Sequence, residues 1–157
     1  GMAGAGKTAV GEILSSKLSY NFLDSDKLIE NLYGNSQEII DTQGNERFKD
    51  IEEKVLLSIK FDKHVLATGG SAVFSHSSMK YLRECSEIIY LDVQFDTIFK
   101  RVGDFKGRGF VKSSDQTVKE AYEERASLYN LYADHIVDNN GPIEDCLSKI
   151  PSLIDHL

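Results

Sequence analysis

The residues best suited to chemistry stand at the start of the sequence, where residues 1–8 read GMAGAGKT and fit the P-loop pattern G-x-x-x-x-G-K-[ST]. Glycines in such a loop adopt positive φ angles, so that backbone N–H groups turn inward and form a nest for phosphate at the N-terminus of the next helix. Lys7 can then reach the β- and γ-phosphates, and the Thr8 hydroxyl can bind Mg²⁺. We therefore predict a nucleotide phosphate site; the alternative is a glycine-rich turn before an ordinary helix.

Two acidic residues and a pair of glycines follow predicted strands. Asp24 and Asp26 stand two positions apart at the end of a short strand, so in an extended chain they point the same way. Because ligands of α/β sheets bind at the carboxyl ends of the strands, we expect one carboxylate to help hold Mg²⁺ and the other to bind a substrate hydroxyl. The alternative is that they cap the next helix. Gly69 and Gly70 end the next strand and indicate either close approach to a ligand or a tight turn.

A segment rich in glycine, residues 103–110, is predicted to be a mobile loop. Three basic residues lie in or next to it: Arg101, Lys106 and Arg108. Phosphoryl transfer needs cations at the developing charge, and a closing lid often supplies them. The alternative, a solvated charged loop, is about as good for Lys106 and poorer for Arg108, which lies between glycines.

The elements that position these residues alternate between strand and helix, which predicts an α/β domain with a parallel sheet. We expect strands near residues 20–23, 64–68, 87–93 and 135–138, and a long helix over residues 115–131 that begins at Ser114 or Asp115. Arg125 and Tyr129 are four apart on that helix, a spacing typical of a surface pair.

The P-loop pattern normally follows a buried strand, whereas this sequence opens on the first glycine of the pattern. If the molecule begins there, the sheet lacks a strand and the loop is untethered, because backbone groups of the neighbouring strands lose their partners. We expect such a chain to bind ATP poorly.

Composition narrows the class of protein. The chain has 157 residues, of which 41% are hydrophobic and 27% charged, as in a single soluble domain. A net charge of −7 argues against nucleic-acid binding. The sequence contains neither an apolar run long enough to cross a membrane nor a signal peptide, so we expect a cytoplasmic enzyme. Because the sequence leaves no obvious apolar surface stripe over, we expect a monomer. Cys85 and Cys146 lack metal-ligand spacing and are expected to be reduced thiols.

Taken together, six segments resemble the shikimate kinases, a family of P-loop kinases. They are the P-loop, F-L-D-S-D, F-K-D-I-E, L-A-T-G-G-S, the lid segment R-V…K-G-R-G and R-A-S-L-Y, in this order. The resemblance implies a parallel sheet of order 2-3-1-4-5 with helices on both faces, whose first strand is absent from this chain. It implies a single P-loop kinase domain over residues 1–157 with a mobile lid at about residues 103–114. The implied reaction is ATP-dependent phosphorylation of shikimate to shikimate 3-phosphate, in aromatic amino-acid biosynthesis.

The resemblance also implies roles for single residues. The ATP site would comprise Gly4, Ala5, Gly6, Lys7, Thr8 and Arg101, and the metal site Thr8 and Asp24. Shikimate would contact Asp26, Lys49, Gly69, Gly70 and Arg125, and the catalytic residues would be Lys7, Asp26 and Arg108. The turn at residues 139–140 would border the adenine together with Arg101.

Three departures from the family pattern touch the substrate side or the lid. Lys49 replaces an arginine and loses the planar fork that binds a carboxylate at two points, and its alternative role is an ion pair with Glu52. Ser71 replaces a third glycine, and Gly109 replaces a proline of the lid. These departures leave two other hypotheses open: a related P-loop kinase for another small hydroxy acid such as gluconate, or a non-catalytic nucleotide-binding paralogue.

Overall fold

Helices and parallel strands alternate along the chain in the computed structural model, which describes residues 1–103, 105 and 110–154. The strands are β1 (Asn21–Asp24), β2 (His64–Ala67), β3 (Ile89–Asp92) and β4 (His135–Asp138). The helices before β2 are α1 (Lys7–Leu18), α2 (Ser25–Tyr33), α3 (Ser36–Gln43) and α4 (Asn45–Ser58). A 3₁₀ turn (Ala72–Phe74) follows β2, and the later helices are α5 (His76–Cys85), α6 (Phe95–Val102), α7 (Val118–Tyr132), α8 (Ile143–Lys149) and α9 (Pro151–Ile154).

The strands pair in two parallel couples. Asn21 of β1 lies opposite His64 of β2, and Ile89 of β3 lies opposite His135 of β4. Within the described part of the chain, no backbone ladder joins β2 to β3. The predicted order 2-3-1-4-5 counts the strand before the P-loop as strand 1, so β1 and β2 correspond to its strands 2 and 3, and β3 and β4 to its strands 4 and 5. These are the pairs that it places on either side of its central strand, and the full order itself stays a prediction.

An apolar cavity of about 430 Å³ separates the two couples. Leu66 lines it from β2, Tyr90 and Leu91 line it from β3, and Val10 and Leu14 line it from α1. Helix α1 packs against both strands of the first couple and against α8. Side-chain packing, rather than a continuous ladder, therefore holds the two halves of the sheet together.

Helix α4 carries the clearest predicted face. Phe48, Ile51, Val55 and Leu56 are each at most 3% exposed, as their helical spacing predicts. Helix α1 is less regular, because Ile13 is exposed although its spacing predicts burial. Of the described helices, none is long and apolar enough to cross a membrane.

The start of α7 differs from the prediction. The helix begins at Val118, and Thr117 caps it, so the predicted start at Ser114 or Asp115 is wrong. The Thr117 side chain accepts from the N–H of Glu120, whose carboxylate accepts in return from the N–H of Thr117. This capping box satisfies the N–H groups of both Thr117 and Glu120, which fixes the start of the helix.

Candidate functional site: a phosphate loop beside a charged cavity

The first eight residues form the predicted phosphate loop. Gly4 and Gly6 have φ angles of +82° and +91°, which other residues rarely adopt, and α1 begins directly after Gly6. The Lys7 ammonium folds back over the loop and donates to the carbonyl oxygens of Gly1 at 2.8 Å and Met2 at 2.9 Å. Lys7 is therefore held above the nest in which phosphate would lie.

Thr8 and Asp24 are brought together as predicted for a metal site. The Thr8 hydroxyl donates to Oδ2 of Asp24 at 2.8 Å, and Oδ1 of the same carboxylate accepts from the N–H groups of Asp26 and Lys27 at the start of α2. Asp24 thus caps a helix and faces the phosphate loop at once. A hydroxyl and a carboxylate oxygen are hard ligands that suit Mg²⁺, which takes its other ligands from phosphates and water.

A cavity of about 140 Å³ lies next to the loop and collects residues from distant parts of the chain. Lys7, Asp26 and Arg125 line it together with Gly70 and Ser71. Burial lowers the pKa of Lys7, and the nearby carboxylates of Asp26 and Asp24 oppose that shift. Burial raises the pKa of Asp26, and Lys7 opposes that shift. The cavity therefore brings the carboxyl groups of Asp26 and Glu30 together with the cations Lys7 and Arg125.

Arg125 is not part of a surface pair. Its side chain is 1% exposed, and its guanidinium donates to the carbonyl oxygens of Ala121 and Val111. The guanidinium carbon lies 5.0 Å from the ring centroid of Phe74 and 4.3 Å from that of Phe110. Two rings and two carbonyls thus fix the group in place, while Nε has no acceptor among the described residues. Its partner on the helix, Tyr129, is also buried, so the surface interpretation of both residues is wrong.

The turn at residues 69–71 is tied to three helices. Its first N–H donates to Ser25 Oγ of α2 at 2.9 Å, and its second carbonyl accepts from the Tyr129 hydroxyl of α7 at 2.6 Å. The serine hydroxyl that ends the turn donates to Glu52 Oε2 of α4 at 2.5 Å. Gly70 lines the cavity, whereas Gly69 lies behind it, between the carboxyl groups of Asp26 and Glu52.

Glu52 is the residue that the sequence analysis missed. It is 2% exposed, and burial raises its pKa to about 7, with its hydrogen bond from Ser71 opposing the shift. The signal was its place four residues after Phe48 and three before Val55, which puts an acid on the buried face of α4.

Lys49 does not pair with Glu52, so that alternative role is wrong. Its ammonium lies 2.8 Å from Glu46 and 5.2 Å from the ring centroid of Phe74. Lys49 does not appear among the described residues that line the cavity. Lys49 and Arg125, the two predicted partners of a substrate carboxylate, therefore both lie against the ring of Phe74.

Arg101 lies where the predicted adenine side begins. Its guanidinium donates to the carbonyl of Asn139 at 2.8 Å, and the amide of Asn139 donates to the carbonyl of Ala5 at 2.7 Å. This chain of contacts joins α6 to the phosphate loop through the end of β4. Arg108 and Lys106, the predicted lid cations, lie outside the described residues.

Comparison with known proteins agrees with this arrangement. Residues 3–154 match the family described as "Shikimate kinase". The chain is 34% identical to a shikimate kinase of Caldanaerobacter subterraneus subsp. tengcongensis, over 96% of this chain and 90% of that protein. It is 36% identical to one of Rippkaea orientalis, over 98% of this chain and 87% of that protein. A solved shikimate kinase of Acinetobacter baumannii in complex with shikimate is 30% identical and has a TM-score of 0.90, over 99% of this chain and 90% of that one.

Proposed function

The chain belongs to the shikimate kinase family, and we propose from that premise that it transfers the γ-phosphoryl group of ATP to a ring hydroxyl of shikimate, giving ADP and shikimate 3-phosphate. The observation that carries this proposal is the single cavity shared by Lys7 of the phosphate loop, Asp26 and Arg125. One side of that cavity suits a nucleotide phosphate, and the other suits an organic acid that carries hydroxyl groups.

On the nucleotide side, the N–H groups of residues 4–8 bind the phosphates and Lys7 approaches the transferred group. Thr8 and Asp24 would hold Mg²⁺, which would supply positive charge to neutralise the phosphates. Arg101 borders the base, as its contact with Asn139 supports. The family resemblance assigns Arg108 the role of a catalytic cation on a lid at about residues 103–114.

On the substrate side, Asp26 accepts the hydrogen bond of the attacking hydroxyl and orients its oxygen toward the γ-phosphorus. Arg125 binds the substrate carboxylate, for which its Nε–H supplies a donor without a partner among the described groups. Gly70 lies at the cavity wall, where backbone approaches the ring. Burial raises the pKa of Asp26, and the positive Lys7 beside it opposes that shift.

Lys49 is the weakest element of this proposal. Lys49 is assigned to the substrate carboxylate by resemblance, while its ammonium pairs with Glu46. The second candidate, a kinase for another small hydroxy acid such as gluconate, rests on the lysine itself, which lacks the planar fork of an arginine. If Lys49 serves shikimate, then Lys49→Met raises KM for shikimate, and Glu46→Gln, which frees the ammonium, leaves KM unchanged or lowers it.

The test of the proposed function is ADP release from Mg·ATP, measured with shikimate, with gluconate and without an acceptor. Shikimate-dependent release supports the proposal, and release with gluconate alone replaces it by the second candidate. Absence of release with either acid, from a chain that binds ATP, supports the non-catalytic paralogue. We further propose that the protein acts as a cytoplasmic monomer, which sedimentation and cell fractionation test.

A further inference from the structure

A buried carboxyl–hydroxyl pair adjoins the cavity, which Ser71 lines, and has no part in the proposed reaction. Ser71 donates to Oε2 of Glu52 at 2.5 Å, and the Glu52 side chain is 2% exposed. Its other oxygen, Oε1, has no hydrogen-bond partner among the described residues. Such a group is costly when ionised and much less so when it carries a proton.

Gly69 brings Glu52 next to the proposed acceptor of the substrate hydroxyl. A Cβ atom on Gly69 would lie 2.3 Å from Oε1 of Glu52 and 2.6 Å from Oδ1 of Asp26, so the two carboxyl oxygens are within about 5 Å of each other. Two carboxyl groups at this separation do not ionise independently. The more buried of the two keeps a proton to higher pH.

Charged and titratable groups face this pair from three other elements. They are Lys7 of α1, Asp26 of α2, and Arg125 and Tyr129 of α7. The cations favour ionised Glu52, whereas burial and Asp26 oppose it, and burial is the largest effect. The pKa of Glu52 lies near 7 as a result.

We propose that Glu52 is a positioning residue that carries a proton, and that Ser71 holds it so that the turn at residues 69–71 keeps its place beside the Asp26 carboxyl group. This inference rests on the proposed function of Asp26. Because Oε2 accepts from Ser71, the proton belongs on Oε1, the oxygen that faces Asp26 across Gly69. When Glu52 ionises, a second negative charge competes with Asp26 for Lys7 and with the substrate carboxylate for Arg125.

The proton itself is tested without turnover, by infrared titration of the protonated carboxyl C=O stretch. The expected band fades as pH rises through about 7. It is absent from Glu52→Gln and kept in Glu53→Gln. Glu53 is a matched control, because it is the next residue of α4 and accepts from Ser75 at the same 2.5 Å on a part-buried site. A band that persists in Glu52→Gln overturns the proposal.

The positioning role is tested by the pH profile of kcat/KM for shikimate. In the wild type and in Glu53→Gln, we expect kcat/KM to fall about tenfold per pH unit above the infrared midpoint, as a single ionisation requires. In Glu52→Gln, which lacks the ionising group, we expect kcat/KM to stay constant over the same pH range. Ser71→Ala raises the midpoint in both measurements, because the hydrogen bond from Ser71 holds that pKa down. This variant carries the test if Glu52→Gln fails to fold.

Kinetic profiles that are the same in Glu52→Gln and wild type overturn the positioning role, even where the infrared band is present. If the wild-type protein phosphorylates gluconate and not shikimate, the proposed function is wrong. The infrared titration needs no turnover, so it still shows whether Glu52 carries the proton. The two failures are therefore distinguishable.

Discussion

Gly69→Ala probes the most crowded glycine of the site. The added Cβ would lie 2.3 Å from Oε1 of Glu52 and 2.6 Å from Oδ1 of Asp26, about 1 Å inside ordinary contact. Glu52 has little room to move, since it is buried and its other oxygen is tied to Ser71. Overpacking of this kind costs about 1–3 kcal/mol, or roughly 3–9 °C in Tm for a chain of this size.

Gly70→Ala is the matched control for this experiment. Its Cβ would meet its nearest neighbours at 3.4 Å and 3.5 Å, and neither glycine has a positive φ angle, so the two variants differ in steric overlap alone. We expect the free energy of unfolding of Gly70→Ala, measured by thermal and urea denaturation, to lie within about 0.5 kcal/mol of the wild-type value.

A double-mutant cycle identifies the clashing atom. In the background of Glu52→Ala the closer contact is gone, so Gly69→Ala should retain only the smaller penalty of its overlap with Asp26. The reasoning is refuted if Gly69→Ala is as stable as Gly70→Ala, or if its penalty is unchanged in the Glu52→Ala background.

Three further predictions follow from the same contacts. Lys7→Ala should abolish ADP release while the chain stays folded, as circular dichroism checks, because Lys7 touches the loop only through the carbonyls of Gly1 and Met2. The raised pKa of Glu52, about 7 against an ordinary 4.5, means that the native state binds more protons than the unfolded state between these values. Stability should therefore fall by up to about 3 kcal/mol as pH rises through that window, and urea titrations at about pH 5 and pH 8 should show a flatter dependence in Glu52→Gln and an unchanged one in Glu53→Gln. In a polypeptide of residues 1–157, an apolar strand fused before Gly1 should raise Tm and ATP affinity by filling the cavity between β2 and β3, whereas a Gly/Ser extension of equal length should change neither.

The nucleotide side could be predicted from sequence because its geometry is local. A P-loop is set by glycine φ angles and by the start of one helix, so Lys7 and Thr8 followed from a short pattern. Asp24 was placed by the rule that strand ends share an edge, and the structure confirms its contact with Thr8. The family, the α/β class and the activity also followed, through the order of six segments.

The substrate side depends on packing between elements distant in sequence, which spacing does not encode. Arg125 has the spacing of a surface residue, yet the rings of Phe74 and Phe110 cover it. Lys49 has an acid three residues away on each side, Glu46 and Glu52, and spacing alone does not distinguish them. Lys49 pairs with the exposed Glu46, because Glu52 is buried. The predicted start of α7 is wrong because the capping box formed by Thr117 and Glu120 determines where the helix begins.

Within the described residues, the two parallel ladders share no backbone hydrogen bond. Strand β1 returns to β2 through α2, α3 and α4, and strand β3 returns to β4 through α6 and α7, so each ladder closes within its own half of the chain. With a cavity where a shared ladder would lie, fraying of one couple leaves the backbone hydrogen bonds of the other intact. Native-state amide exchange of a polypeptide of residues 1–157 should accordingly resolve two sets of protected N–H groups, one for each ladder, with different opening energies.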